Sequence, residues 1–122
     1  MKTVLIADDD RVWGEVLGAA LRRKGFGVLM AFDGMQATMA AQKRVPDLVV
    51  LDVRMPGGTG VDALKRLRMS TRTAMIPVVV VSGSSDPAVA GTVAQLGVTR
   101  FIAKPTTADD VAGVAAMLLG AY

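Results

Sequence analysis

A chain of 122 residues, 52% apolar and 20% charged, is long enough for one sizeable hydrophobic core, too short for two and too apolar for disorder. It has no cysteine and no histidine, which excludes disulfide stapling, thiolate chemistry and any imidazole step supplied by the chain itself. The formal charge of +3 comes largely from small groups near predicted helix ends (Arg22-Arg23-Lys24, Lys43-Arg44, and Lys65-Arg66 with Arg68), where they interact with helix dipoles and solvate a face, so direct nucleic-acid binding is not expected.

Val4 to Ala7 reads as a short buried strand closed by Asp8-Asp9-Asp10, too short for a signal-peptide core. From Arg11, the apolar residues Trp13, Val16, Leu17, Ala20 and Leu21 recur at helical spacing up to a stop at Lys24-Gly25, which makes Trp13 a core residue. Val28 to Ala31 is a second strand, Asp33-Gly34 a turn or cap, and Met35 to Arg44 a helix ended by Pro46. The segment Asp47 to Pro56 organises the rest: an apolar run suited to a strand buried on both faces stops at Asp52 and passes into Met-Pro-Gly-Gly. Thr59 can cap a helix to about Met69, with Val61, Leu64, Leu67 and Arg68 at helical spacing, and Ser70 to Met75 is a polar connector. Val78 to Val81, four β-branched residues, is the clearest strand and ends at Ser82-Gly83-Ser84. Asp86-Pro87 starts a helix to Leu96-Gly97, Arg100 to Ala103 is a fifth strand ending at Lys104-Pro105, and Thr107 with Asp110 opens the last helix, to about Leu119. The longest largely apolar segment, Val111 to Tyr122, falls short of the ~18 residues a spanning helix needs, so no membrane partner is expected and the chain reads as cytoplasmic.

Strands alternating with helices, without repeat or linker, imply a single α/β domain over 1–122: a doubly wound parallel five-stranded sheet between helical layers. In such a sheet the strand-ending residues Asp8, Asp9, Asp52, Ser82 and Lys104 meet at one rim, where ligands bind. Three acids in one pocket repel unless compensated, and a hard divalent ion such as Mg²⁺ supplies the compensation while leaving room for phosphate oxygens. Asp52 is then placed as nucleophile toward a phosphoryl group. Lys104 neutralises the transferring oxygens and the Ser82 hydroxyl donates to one of them.

These motifs resemble the receiver domain of two-component response regulators. Asp8-Asp9 after Leu5-Ile6-Ala7, Asp52-Val53-Arg54-Met55-Pro56 with Gly60 eight residues after the aspartate, Ser82 after the valine run, and Phe101-Ile102-Ala103-Lys104-Pro105 fall in that family's order and spacing along the whole chain. The resemblance implies a flavodoxin-like (βα)5 fold with strand order 2-1-3-4-5 and no output domain in this chain. It implies Asp52 as the phosphorylated aspartate, and Mg²⁺ held by Asp8, Asp9, Asp52 and the Arg54 backbone carbonyl. Ser82 and Phe101 become the switch residues, Lys104 the family's lysine, and Lys104-Pro105 a cis bond. The donor is a phosphohistidine on a histidine kinase or phosphotransfer protein, or a small phosphodonor, and the output is a downstream protein target. Phosphorylation then changes the face built from the fourth helix, fifth strand and fifth helix. There Val111 to Leu119 is apolar almost all round, charge pairs are sparse (Arg100, Asp109, Asp110), and a homodimer through this face is hydrophobic rather than salt-bridged.

Three other readings compete. A dehalogenase-type phosphatase needs an acid two residues after the nucleophile, where this chain has Arg54, so no turnover enzyme is expected. A flavodoxin-like nucleotide carrier needs a hydroxyl- and glycine-rich loop where Asp8-Asp9-Asp10 stands. A receiver-like binding module independent of phosphorylation would not need every key position filled. Arg54 and Ser84 flank the path of a hydrolytic water, and Gly83 leaves its loop more flexible than a side chain would.

Overall fold

The computed structural model describes residues 1–55, 60–83 and 87–120. Among them the elements alternate as β1 (Thr3–Ala7), α1 (Arg11–Arg23), β2 (Gly27–Ala31), α2 (Gly34–Arg44), β3 (Leu48–Leu51), α3 (Gly60–Met69), β4 (Val78–Ser82), α4 (Pro87–Gln95), β5 (Arg100–Ala103) and α5 (Ala108–Leu118). The strands form one parallel sheet in the order β2-β1-β3-β4-β5. The expected helix starts at Thr59 and Asp86, and the expected turn at Pro56-Gly57-Gly58, lie outside the described residues.

Strand period and helix period together build the layers. Val4, Ile6, Leu48, Val50, Val79 and Val81 point to one face, under Leu17, Ala20 and Leu21 of α1 and Val111, Ala112 and Ala115 of α5. The alternate residues Leu5, Ala7, Val49, Leu51, Val78 and Val80 meet Ala37 and Ala41 of α2, Leu64 and Leu67 of α3, and Val93 of α4. Burial on both faces explains why the central strands are apolar without alternation.

The helix ends follow their local chemistry. Asp10 and Asp33 cap α1 and α2 by accepting the amides of Trp13 and Gln36, and Thr107 caps α5 by accepting that of Asp110. Lys24 closes α1 and the left-handed Gly25 follows (φ 91°), whereas α2 ends on a left-handed valine, Val45 (φ 40°), before Pro46.

Four expectations change. Val16 is exposed, because α1 turns its inner arc through Gly14, Leu17, Gly18 and Leu21 and leaves Val12, Glu15 and Val16 outside. Of the large apolar side chains of the last helix Met117 is exposed, while Val114, Leu118 and Leu119 pack against the core's edge. Asp109 is engaged within the domain, 3.4 Å from Arg23 of α1. Arg68 does not solvate a face: it bonds main-chain carbonyls of neighbouring segments.

Candidate functional site

The winding reverses between β1 and β3, so their C-terminal tips bound the crevice of the sheet. The register pairs Ala7 with Leu51 and thereby makes Asp8 and Asp52 neighbours just beyond the strands. Strand-type hydrogen bonding continues one residue further. The Asp52 amide donates to the Ala7 carbonyl (2.9 Å), the Asp8 amide to Ala31 (3.0 Å) and the Lys104 amide to Ser82 (3.0 Å). The backbones of these residues are therefore fixed by the sheet, and their side chains alone retain freedom.

Those side chains converge on one ammonium. Lys104 Nζ lies 3.2 Å from Asp8 Oδ2 and 3.3 Å from Asp52 Oδ2. The other oxygen of each carboxylate is held by an amide two residues on: Asp8 Oδ1 accepts from Asp10 (2.9 Å) and Asp52 Oδ1 from Arg54 (3.0 Å). Asp9 is exposed beside them, and one carboxylate oxygen from each of Asp8, Asp9 and Asp52 lies within 4.8 Å of the others. Three carboxylates facing one ammonium leave the cluster with excess negative charge.

Burial raises the Asp8 carboxyl above its ordinary value. The Asp10 amide and the Lys104 charge pull it down without cancelling the rise, and the Asp52 charge adds to it. For Lys104, burial pulls down, but Asp52 and Asp8 together outweigh it and hold the ammonium above its ordinary value. The difference follows from exposure: the Lys104 side chain is 30% exposed and that of Asp8 only 4%, so the cost of desolvation falls mainly on the acid.

The three consecutive aspartates divide their work. Asp10 caps α1, as a helix-start reading of the run requires, while Asp8 and Asp9 are left for the cluster. Ser82 is fully buried at the tip of β4, opposite Ala103 in the register. Phe101 sits on β5 beside Val80, 38% exposed. Arg54 is exposed and reaches the cluster through its main chain, and the Lys104-Pro105 bond is cis. Ser84 lies outside the described residues.

Two residues acquire roles that sequence reasoning did not assign. Trp13 is half-buried against the core, with its ring centroid 5.9 Å from Lys104 Nζ, and it lines a groove of about 440 Å³ with Asp10, Lys104, Pro105 and Thr106. Periodicity identifies its inward face but not what stands at the end of it. Gly60 begins α3 with its amide donating to the Val53 carbonyl (3.0 Å), and a Cβ there would fall within 3.0 Å of the Asp52 carbonyl group and Val53 Cα. The missing side chain lets α3 close against the backbone that carries Asp52.

Comparison with known proteins bears on the family and the fold. Residues 4–115 match the family described as the response regulator receiver domain. The transcriptional regulatory protein CpxR of Klebsiella pneumoniae is 39% identical over 105 residues, which are 86% of this chain and 44% of that protein. The DNA-binding response regulator MtrA of Mycobacterium tuberculosis is 34% identical over 102 residues, 84% of this chain and 43% of that protein. The chain thus spans under half the length of these curated relatives. The chemotaxis response regulator CheY4 of Vibrio cholerae superposes with a TM-score of 0.88 at 26% identity, covering 97% of this chain and 98% of that one.

Proposed function

The chain belongs to the response regulator receiver domain family, and we propose that it accepts a phosphoryl group on Asp52, with Mg²⁺ bound beside it, from a phosphohistidine of a histidine kinase or phosphotransfer protein. The observation that carries this reading is the Lys104 ammonium shared between two buried carboxylates, Asp8 and Asp52, with Asp9 in reach. An acid-rich cluster of this kind suits a divalent cation and then an anionic ligand.

The donor set is all oxygen, which fits a hard cation. Asp8, Asp9, Asp52 and the Arg54 main-chain carbonyl are the residues that would hold it. Mg²⁺ bound there neutralises the excess negative charge and that of the incoming phosphoryl oxygens. A carboxylate oxygen of Asp52 attacks phosphorus, the P–N bond breaks, and the departing imidazole keeps the electron pair. Lys104, already within reach of Asp8 and Asp52, turns to a phosphoryl oxygen, and the Ser82 hydroxyl donates to another. The phosphoryl group carries a charge of about −1.5 to −2 where the carboxylate carried a single negative charge, and its oxygens draw Ser82 and Lys104 toward Asp52 and open space into which Phe101 turns.

The output face is then α4, β5 and α5. Arg100, Phe101 and Ala103 of β5 are exposed, and α4 buries only Val93 fully, so a partner protein meets surface that the core does not hold tightly. Receiver domains are regulatory rather than turnover enzymes, and Arg54 two residues after Asp52 supplies no acid for a phosphatase cycle. Among the described residues no helix is long and apolar enough to cross a membrane, and a cytoplasmic setting is part of the proposal.

Incubation with acetyl phosphate and Mg²⁺, followed by intact mass measurement, should give one added phosphoryl group. Asp52→Asn and removal of metal by EDTA should each abolish it. No adduct with several donors would sink the assignment and leave a binding module independent of phosphorylation.

A further inference from the structure

Arg68, at the end of α3, lies at the rim opposite the acidic cluster. Its Nε donates to the Leu96 carbonyl (2.9 Å), its Nη1 to Ala74 (3.1 Å) and Ile76 (2.8 Å), and its Nη2 to Gly97 (3.1 Å). All four acceptors are main-chain oxygens, and no ion pair is seen for Arg68 among the described residues. Ala74 and Ile76 lie in the segment that leads into β4, four and two residues before Val78, while Leu96 and Gly97 directly follow α4, whose C-terminal carbonyls carry the negative end of the helix dipole. One guanidinium thus ties both ends of the β4–α4 unit to α3.

The middle of that unit is the site side. β4 ends at the buried Ser82, and the first turns of α4 are largely exposed: Pro87, Ala88, Ala90 and Gly91 face solvent, Val89 packs against the core, and a Cβ on Gly91 would meet nothing within 4 Å. A glycine in an exposed helix interior with no packing reason for it weakens the helix there. The helix attaches to the core through Val89, Val93 and Leu96, of which Val93 is fully buried. The Arg68 bonds thus hold the unit at the far rim, while near the cluster the first turn of α4 packs on the core through Val89 among the described residues.

We propose that Arg68 is the positioning residue of the β4–α4 unit: its guanidinium is the pin about which α4 turns when phosphorylation draws Ser82 toward Asp52. This inference rests on the phosphoryl-acceptor reading. A lysine cannot replace the arginine, because one ammonium does not span four carbonyls on two segments.

The test is amide hydrogen exchange over α4, with and without beryllofluoride and Mg²⁺ as the acyl-phosphate mimic, in the wild-type chain, Arg68→Ala and Arg68→Lys. Arg68 is far from the cluster, so the variants should still take a phosphoryl group from acetyl phosphate, scored by intact mass. In Arg68→Ala, exchange over α4 should speed by on the order of tenfold, and the change caused by beryllofluoride should be lost. Guanidinium chloride at tens of millimolar should restore both by refilling the carbonyl ring, and sodium chloride at equal ionic strength should not. Arg68→Lys keeps the stem and charge and guards against misfolding of the alanine variant; it should show the faster exchange without rescue, since its own side chain fills the site. A lowered melting temperature with an undiminished beryllofluoride response in α4 would overturn the pin and leave a plain structural role, as would failure of guanidinium to rescue. Absence of the adduct in the wild-type chain would instead overturn the phosphoryl-acceptor reading, and the coupling with it.

Discussion

At the rim where the strands end, three carboxylates face one ammonium; at the opposite rim, one guanidinium faces four carbonyls and, among the described residues, is paired with no carboxylate. Both places put charge in a partly buried setting, and both therefore carry a desolvation cost. At the far rim burial still disfavours the guanidinium's charge, but its donors are hydrogen-bonded to fixed main-chain dipoles and no competing charge is paired with it among the described residues. At the near rim the charge is not balanced: two carboxylates already share Lys104, and Asp9 adds a third negative charge. Charge that the fold satisfies by itself marks structure, and charge left over marks a place that waits for something else.

Four substitutions break or sharpen that contrast. The largest effect is expected at Gly60, where Gly60→Ala drives a methyl group into the Asp52 carbonyl and Val53; relief requires α3 to move off the Asp52 backbone, at a cost of about 3 kcal/mol. Chemical denaturation should show the loss, and phosphoryl uptake by Asp52 should slow. Arg68→Ala leaves four carbonyls without their donor in a partly exposed place and should cost about 2 kcal/mol, with little dependence on pH between neutrality and pH 5.

Asp8→Asn should have the opposite sign. Without divalent metal at neutral pH it relieves a buried charge while its side-chain oxygen can still accept the Asp10 amide, so stability should rise, by less than the loss at Arg68. The pH dependence carries the same information. Because the folded-state carboxyl titrates above its unfolded value of 3.8, the folded state binds more protons between that value and the raised one. The contribution of Asp8 to stability is full below pH 3.8 and is lost as pH rises through the raised value. Urea titrations in EDTA across this range should slope downward for the wild-type chain relative to Asp8→Asn. If Asp8→Asn destabilises as Arg68→Ala does, the two rims are alike and the contrast fails. The smallest effect is at the solvent-exposed pair between α1 and α5: Arg23→Ala should change stability by less than about 0.5 kcal/mol, and less still at high salt.

Much of this was legible in the chain. Apolar runs ending in Asp8, Asp52, Ser82 and Lys104 are strand signals and site signals together, since a parallel sheet must bring its strand tips to one rim; the strands, the helices and the rim residues follow from that. The alternation of elements also determined the layers, because the central strands must bury both faces. Tertiary structure decided what depends on distance between segments remote in sequence. It decided that Asp10 of the acidic run caps a helix, and that Trp13 ends beside a lysine 91 positions away. It gave Gly60 a steric reason and turned Arg68 from one basic residue among several at a helix end into a link between three segments. Periodicity reports which face of an element turns inward, and the partner met there is set by how the elements pack.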